Sequence, residues 1–91
     1  YLSKKLSELA TRYSHLVEPE RGRGLLRALP LRPGIDPRKV LGDLRDRGLL
    51  LTLAGDRALR FTPPLTVTIA EIDEAVTILD DVLAQTAAPS T

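Results

Sequence analysis

Leu2, Leu6, Leu9, Tyr13 and Leu16 follow one another at steps of four, three, four and three. That spacing puts them on one face of an amphipathic helix, with Lys4, Lys5, Glu8 and Arg12 largely off it, and predicts a helix ending near His15. The next apolar stretch, Leu25 to Leu31, is broken only by Arg27 and Pro30. It reads as an extended strand entered through a bend or close backbone approach at Gly22 and Gly24. Pro30, which has no N–H for a ladder, suits a strand end or an edge. Pro33-Gly34 is a turn. Asp36-Pro37 then opens a second helix, because aspartate can accept from orphan N–H groups and proline loses nothing at the first helical position. Val40, Leu41 and Leu44 form its buried stripe, and Gly48 is its expected left-handed stop.

Leu49 to Leu53 reads as a short strand, Ala54-Gly55-Asp56-Arg57 as a hairpin-sized loop, and Ala58 to Thr62 as the returning strand, which stops against Pro63-Pro64. The last helix carries the strongest signal. Thr68-Ile69-Ala70-Glu71 is a capping box, and Val67 with Ile72 occupies the two positions of a hydrophobic staple. Ile72, Val76, Leu79 and Leu83 form its apolar stripe, and residues 87–91 read as a frayed tail. The order helix, strand, helix, hairpin, helix implies an α+β domain over residues 1–86: a small, mostly antiparallel sheet with about three helices packed on one face.

A length of 91 residues suits one small domain. Hydrophobic residues at 43% and charged residues at 27% are globular proportions. The net charge of +1, from 13 basic and 12 acidic residues, argues against nucleic acid or an anionic membrane as the main partner. With no cysteine and one histidine, His15, no metal site is expected. His15 itself reads as a helix-end residue, favoured there by the dipole. No apolar run approaches a membrane span. The chain has no methionine and opens inside a helical pattern, so it is expected to be a piece of a longer protein.

No catalytic constellation emerges. Lys4, Lys5 and Lys39 fall on exposed helical faces, and adjacent pairs such as Asp80-Asp81 do not face each other on a helix. Arg60 stands out. Alternation along a strand puts Leu59 and Phe61 on one face and Ala58, Arg60 and Thr62 on the other. The two large apolar side chains claim the core, so Arg60 points away from it. It is then either a solvated arginine, paired with Asp56 across the loop, or a guanidinium fork presented to a carboxylate.

Four segments in order, Arg21-Gly-Arg-Gly-Leu-Leu, Asp46-Arg-Gly-Leu-Leu, Ala54-Gly-Asp-Arg-Ala-Leu-Arg-Phe-Thr-Pro-Pro-Leu and Thr68-Ile-Ala-Glu-Ile-Asp-Glu-Ala, resemble the C-terminal small domain of class-III aminotransferases. Their acetylornithine and ornithine branch is the most similar. The resemblance spans nearly the whole chain. It implies a pyridoxal-phosphate enzyme of the aspartate-aminotransferase fold type, in which a missing large domain carries the Schiff-base lysine and the rest of the cofactor site. The implied reaction passes an amino group from an acetylornithine- or ornithine-like donor to 2-oxoglutarate. In that family the arginine of the corresponding strand faces the cleft between domains and binds a substrate carboxylate, which gives Arg60 that role. A cytoplasmic homodimer in arginine biosynthesis is the implied setting. The chain departs from the family's pattern at Ala28-Leu-Pro-Leu, at Arg57, where asparagine is common, and in its run of leucines from 49 to 53.

The alternative is a stand-alone interaction module that keeps the fold without the catalysis. The two readings differ in what surrounds Arg60: apolar surface shaped for an absent domain in the first, a polar open face in the second.

Overall fold

A computed structural model describes residues 1–23, 26–62 and 66–87. Its elements are α1 (Leu2–Arg12), β1 (Arg21–Arg23), β2 (Leu26–Pro30), α2 (Pro37–Asp46), β3 (Thr52–Ala54), β4 (Ala58–Phe61) and α3 (Ile69–Ala87). The four strands form one antiparallel sheet in the order β1-β2-β4-β3. Three helices cover one face of it, as the stripes require. Leu29, Leu59 and Phe61 from the sheet, Leu6 and Leu9 from α1, Val40 and Leu44 from α2, and Leu79, Val82 and Leu83 from α3 share one buried cluster. No charged or polar residue is buried among those described, so α-on-β packing of aliphatic side chains holds the domain together.

The helix starts are as expected. The Asp36 carboxylate accepts from the backbone N–H of Arg38 at 3.0 Å, with Pro37 at the first helical position. In the capping box of α3 the Thr68 N–H donates to Glu71 Oε1 at 3.0 Å, and the Glu71 N–H donates to Thr68 Oγ1 at 3.1 Å. Thr68→Ala removes the acceptor for that second bond and is expected to cost about 1 kcal/mol, read as a lowered thermal midpoint. Arg12 and Tyr13 both reach Asp80, which locks α1 to α3.

Several details differ from the sequence reading. Helix α1 ends at Arg12 rather than near His15, because the chain turns to pair beside β2: Val17 bridges to Leu31, the Glu18 N–H donates to the Pro30 carbonyl, and the Arg32 N–H donates to that of Leu16. His15 therefore lies in the turn beyond the helix. Gly22, expected with Gly24 to form a bend or close backbone approach, lies inside a strand, Arg21–Arg23, with Arg21 opposite Ala28 and Gly22 opposite Arg27. Finally, β3 begins at Thr52 rather than Leu49. The N–H of Leu49 donates to the Leu44 carbonyl and that of Gly48 to the Arg45 carbonyl, and Gly48 has φ +91°. These two bonds make a Schellman cap that commits Leu49 to ending α2. Pro30 does close β2, and Gly55, with φ +66°, turns the hairpin. Ala87, expected in the tail, is the last residue of α3, while Gly24, the stop at Pro63-Pro64 and residues 88–91 of the expected tail lie outside the described residues.

Candidate functional site: the Arg60 cleft

Strand β4 carries out the alternation that its sequence dictates. Leu59 and Phe61 are buried on the helical side, and Arg60 is exposed on the other. Its direct cross-strand neighbours are Ala28 on β2 and Thr52 on β3. Both are short, so neither covers the guanidinium. Beyond Ala28, in the same row of the sheet, stands Arg21.

The two arginines of that row have different partners. Arg21 Nη2 lies 3.1 Å from Glu18 Oε1. Arg60 Nη2 donates only to the Leu53 carbonyl, at 3.3 Å, and makes no ion pair among the described residues. The expected alternative, pairing with Asp56, is absent there. A cleft of about 280 Å³ opens beside Arg60, between the approach to β3 and the first turns of α3. Leu49, Leu50, Leu51, Val67, Ile72 and Ala75 supply its apolar wall. Its one acidic lining residue, Glu71, accepts two hydrogen bonds from Thr68 in the capping box. Among the described lining residues Arg60 is thus the one cation of an apolar cleft whose carboxylate already accepts from Thr68. Low-dielectric walls of this kind strengthen attraction to an incoming anion. Leu50 and Ile69 are exposed near this end of the molecule, whereas the sheet row of Arg60 itself carries Arg21, Ala28 and Thr52.

The strand bearing Arg60 is anchored by a residue to which the sequence gives no role. Arg57 Nη1 donates to Glu18 Oε2 and to the Leu31 carbonyl, both at 2.9 Å, while the Leu31 N–H returns a bond to the Arg57 carbonyl at 2.8 Å. The start of β4 is therefore clamped to the end of β2, three residues before Arg60. No local pattern announces the contact, since Glu18 and Arg57 lie 39 positions apart. The hydrogen bond from Arg57 holds the Glu18 carboxyl below its ordinary value of 4.5, against a smaller desolvation effect. A carboxylate with a depressed folded pKa contributes stability that is present above its unfolded pKa and lost as pH falls through the folded value. Acid unfolding of the protein should therefore show a loss of stability below about pH 4.5 that is smaller in Arg57→Asn. Urea midpoints measured from pH 6 down to pH 3 check this.

Among the described residues the cleft offers neither a lysine amine to hold a cofactor nor a metal-ligating cluster. The three lysines are Lys4 and Lys5 on α1 and Lys39 on α2, none of which lines it, and Lys39 is paired with Asp43 at 3.2 Å. No group of three metal-ligating side chains occurs among the described residues. None of the described helices is long and apolar enough to cross a membrane.

Comparison with known proteins places this geometry in a family. Residues 1–83 match the family model described as aminotransferase class-III. The chain is 41% identical over 86 residues to an acetylornithine aminotransferase of Gloeobacter violaceus, covering 92% of this chain and 21% of that protein. It superposes on a lysine aminotransferase from Mycobacterium tuberculosis, solved in its internal aldimine form, with TM-score 0.89 and 37% identity, covering 96% of this chain and 20% of that one. An ornithine aminotransferase from Plasmodium yoelii follows with TM-score 0.84 and 26% identity, at 93% and 22% coverage. The chain belongs to the class-III aminotransferases, and it spans about a fifth of the length of the relatives it matches.

Proposed function

We propose that this chain is the small domain of a pyridoxal-phosphate-dependent aminotransferase that uses an acetylornithine- or ornithine-like donor and 2-oxoglutarate, and that Arg60 binds a substrate carboxylate. The observation that carries the reading is the Arg60 cleft: one guanidinium without an acidic partner among the described residues, set in an apolar wall. A carboxylate meets that fork in bidentate geometry, which fixes its plane as well as its position. Acetylornithine, ornithine, lysine and 2-oxoglutarate all carry a carboxylate, so one cation can serve both half-reactions.

The residues of the cleft do not fit the cofactor, since no lysine lines it. The group that acts as electron sink would therefore be held by a large domain, with which this chain packs. The task left to these residues is orientation: Arg60 fixes one end of the substrate, the leucines exclude water around it, and the Arg57–Glu18 clamp keeps the strand in register. A cytoplasmic homodimer acting in arginine biosynthesis is the setting we infer with this activity. The half-buried apolar side of the cleft, with Leu50 exposed at its edge, favours this reading over a free-standing interaction module.

The test is a pair of half-reactions on the intact polypeptide loaded with pyridoxal phosphate. Acetylornithine or ornithine should shift the cofactor's absorption to that of its amine form, and 2-oxoglutarate should restore it. L-Lysine, the donor named for a relative at the same 41% identity, serves as the comparison. No spectral change with any of these donors would refute the reading, and a change with lysine alone would reassign the donor.

A further inference from the structure

Arg60 does not face the cleft alone in its row of the sheet. Thr52 is its direct cross-strand partner on β3, and both line the same cavity of about 280 Å³. Opposed residues on one face of an antiparallel pair have Cβ atoms about 4.5–5.5 Å apart. Thr52 is exposed on the outermost strand, and its hydroxyl has no hydrogen-bond partner among the described residues. The threonines of the helices differ. Thr11, Thr77 and Thr86 each donate to the carbonyl four residues back, and Thr68 is taken up in the capping box.

A second hydroxyl, that of Thr62, also belongs to a residue lining the cleft, two positions along β4's own face. The lean of Arg60 separates the two. Its guanidinium crosses to β3, where Nη2 donates to the carbonyl of Leu53, the residue after Thr52. The fork therefore lies on the Thr52 side of the cleft.

A carboxylate offers about four lone-pair sites, and a guanidinium fork meets two of them. The aliphatic side chains of the wall have no donor for the others, and an acceptor left unmet after desolvation is costly. We propose that Thr52 completes the carboxylate site: its Oγ1 donates to a lone pair that the fork leaves open, so that three hydrogens hold the anion. The inference rests on the carboxylate role given to Arg60 above and adds a second binding residue to it. A threonine on an exposed edge strand is also a good strand former through its branched shape alone. Valine keeps that shape and lacks the donor, so it separates the two explanations.

The experiment is a calorimetric titration of the intact polypeptide, loaded with pyridoxal phosphate, with glutarate. Thr52→Val should weaken binding about tenfold, the scale of one hydrogen bond to a charged group, while the thermal midpoint holds or rises. Thr52→Ser should return the affinity to within about threefold of wild type, and Thr62→Val should leave it unchanged. In an Arg60→Ala background, Thr52→Val should alter affinity by less than about twofold, because the anion is no longer brought to the hydroxyl. A residue acting only through the strand would show the same loss in both backgrounds. Full affinity in Thr52→Val, an equal loss in Thr62→Val, equal losses in the two backgrounds, or no recovery with serine overturns the proposal while the role of Arg60 stands. Unchanged affinity in Arg60→Ala, or no binding of glutarate by the wild-type protein, overturns the Arg60 reading and this proposal with it.

Discussion

Arg60→Ala is expected to lower kcat/KM for 2-oxoglutarate by roughly 30- to 900-fold, corresponding to about 2–4 kcal/mol of lost transition-state binding. The estimate follows from the surroundings of the side chain. Arg60 has one weak partner of its own, the Leu53 carbonyl at 3.3 Å, so the substitution strands no internal carboxylate. The whole effect should then fall on the substrate anion held against the apolar wall of the cleft. Arg60→Lys restores the charge but not the planar fork and should recover only part of the loss. Steady-state kinetics on the intact enzyme, varying 2-oxoglutarate at saturating donor, measure both variants. Folding should be indifferent: an exposed residue on the open face changes stability within about 0.5 kcal/mol.

One position earlier in the chain, Leu59→Ala should do the reverse. Leu59 is fully buried, opposite Leu29 on one side and Leu53 on the other, and it belongs to the single core cluster beneath all three helices. Truncation there removes transfer free energy and leaves a cavity, at a cost of about 2–5 kcal/mol. A small domain has on the order of 5–15 kcal/mol in total, so a large share of its stability disappears. At roughly 4–8 °C per kcal/mol for a domain of this size, the thermal midpoint should fall by about 10 °C or more in a circular-dichroism melt. Two neighbours on one strand are thus expected to separate the effects, Leu59→Ala acting on stability and Arg60→Ala, under the proposed role, on substrate binding.

What could be read from the sequence was whatever is determined locally. The capping box at Thr68 and Glu71, the Asp36-Pro37 start and the Gly48 stop are short-range arrangements of donors and acceptors, and each stands where its residues predict. The side on which Arg60 emerges follows from alternation alone. Features set by distant pairing were hidden. Arg21–Arg23 is too short and glycine-rich to read as a strand, and its extended form comes from β2 alongside it. Leu49 has every attribute of a strand residue, yet the Schellman cap of α2 claims its N–H. The Glu18–Arg57 clamp joins residues that no periodicity relates. The cleft was legible only in part: its cation stood out, but its apolar wall is assembled from the approach to β3 and the start of α3, which the chain brings together only on folding.

Calorimetric binding of two unreactive ligands to the intact enzyme tests the role of Arg60 most directly. Glutarate has two carboxylates and the carbon count of 2-oxoglutarate, and pentanoate has one carboxylate on the same number of carbons. The wild-type protein should bind glutarate more tightly than pentanoate, and Arg60→Ala should reduce that preference tenfold or more while the melting temperature stays put. A preference that survives the substitution intact would contradict the account, and would assign the carboxylate site to some other residue.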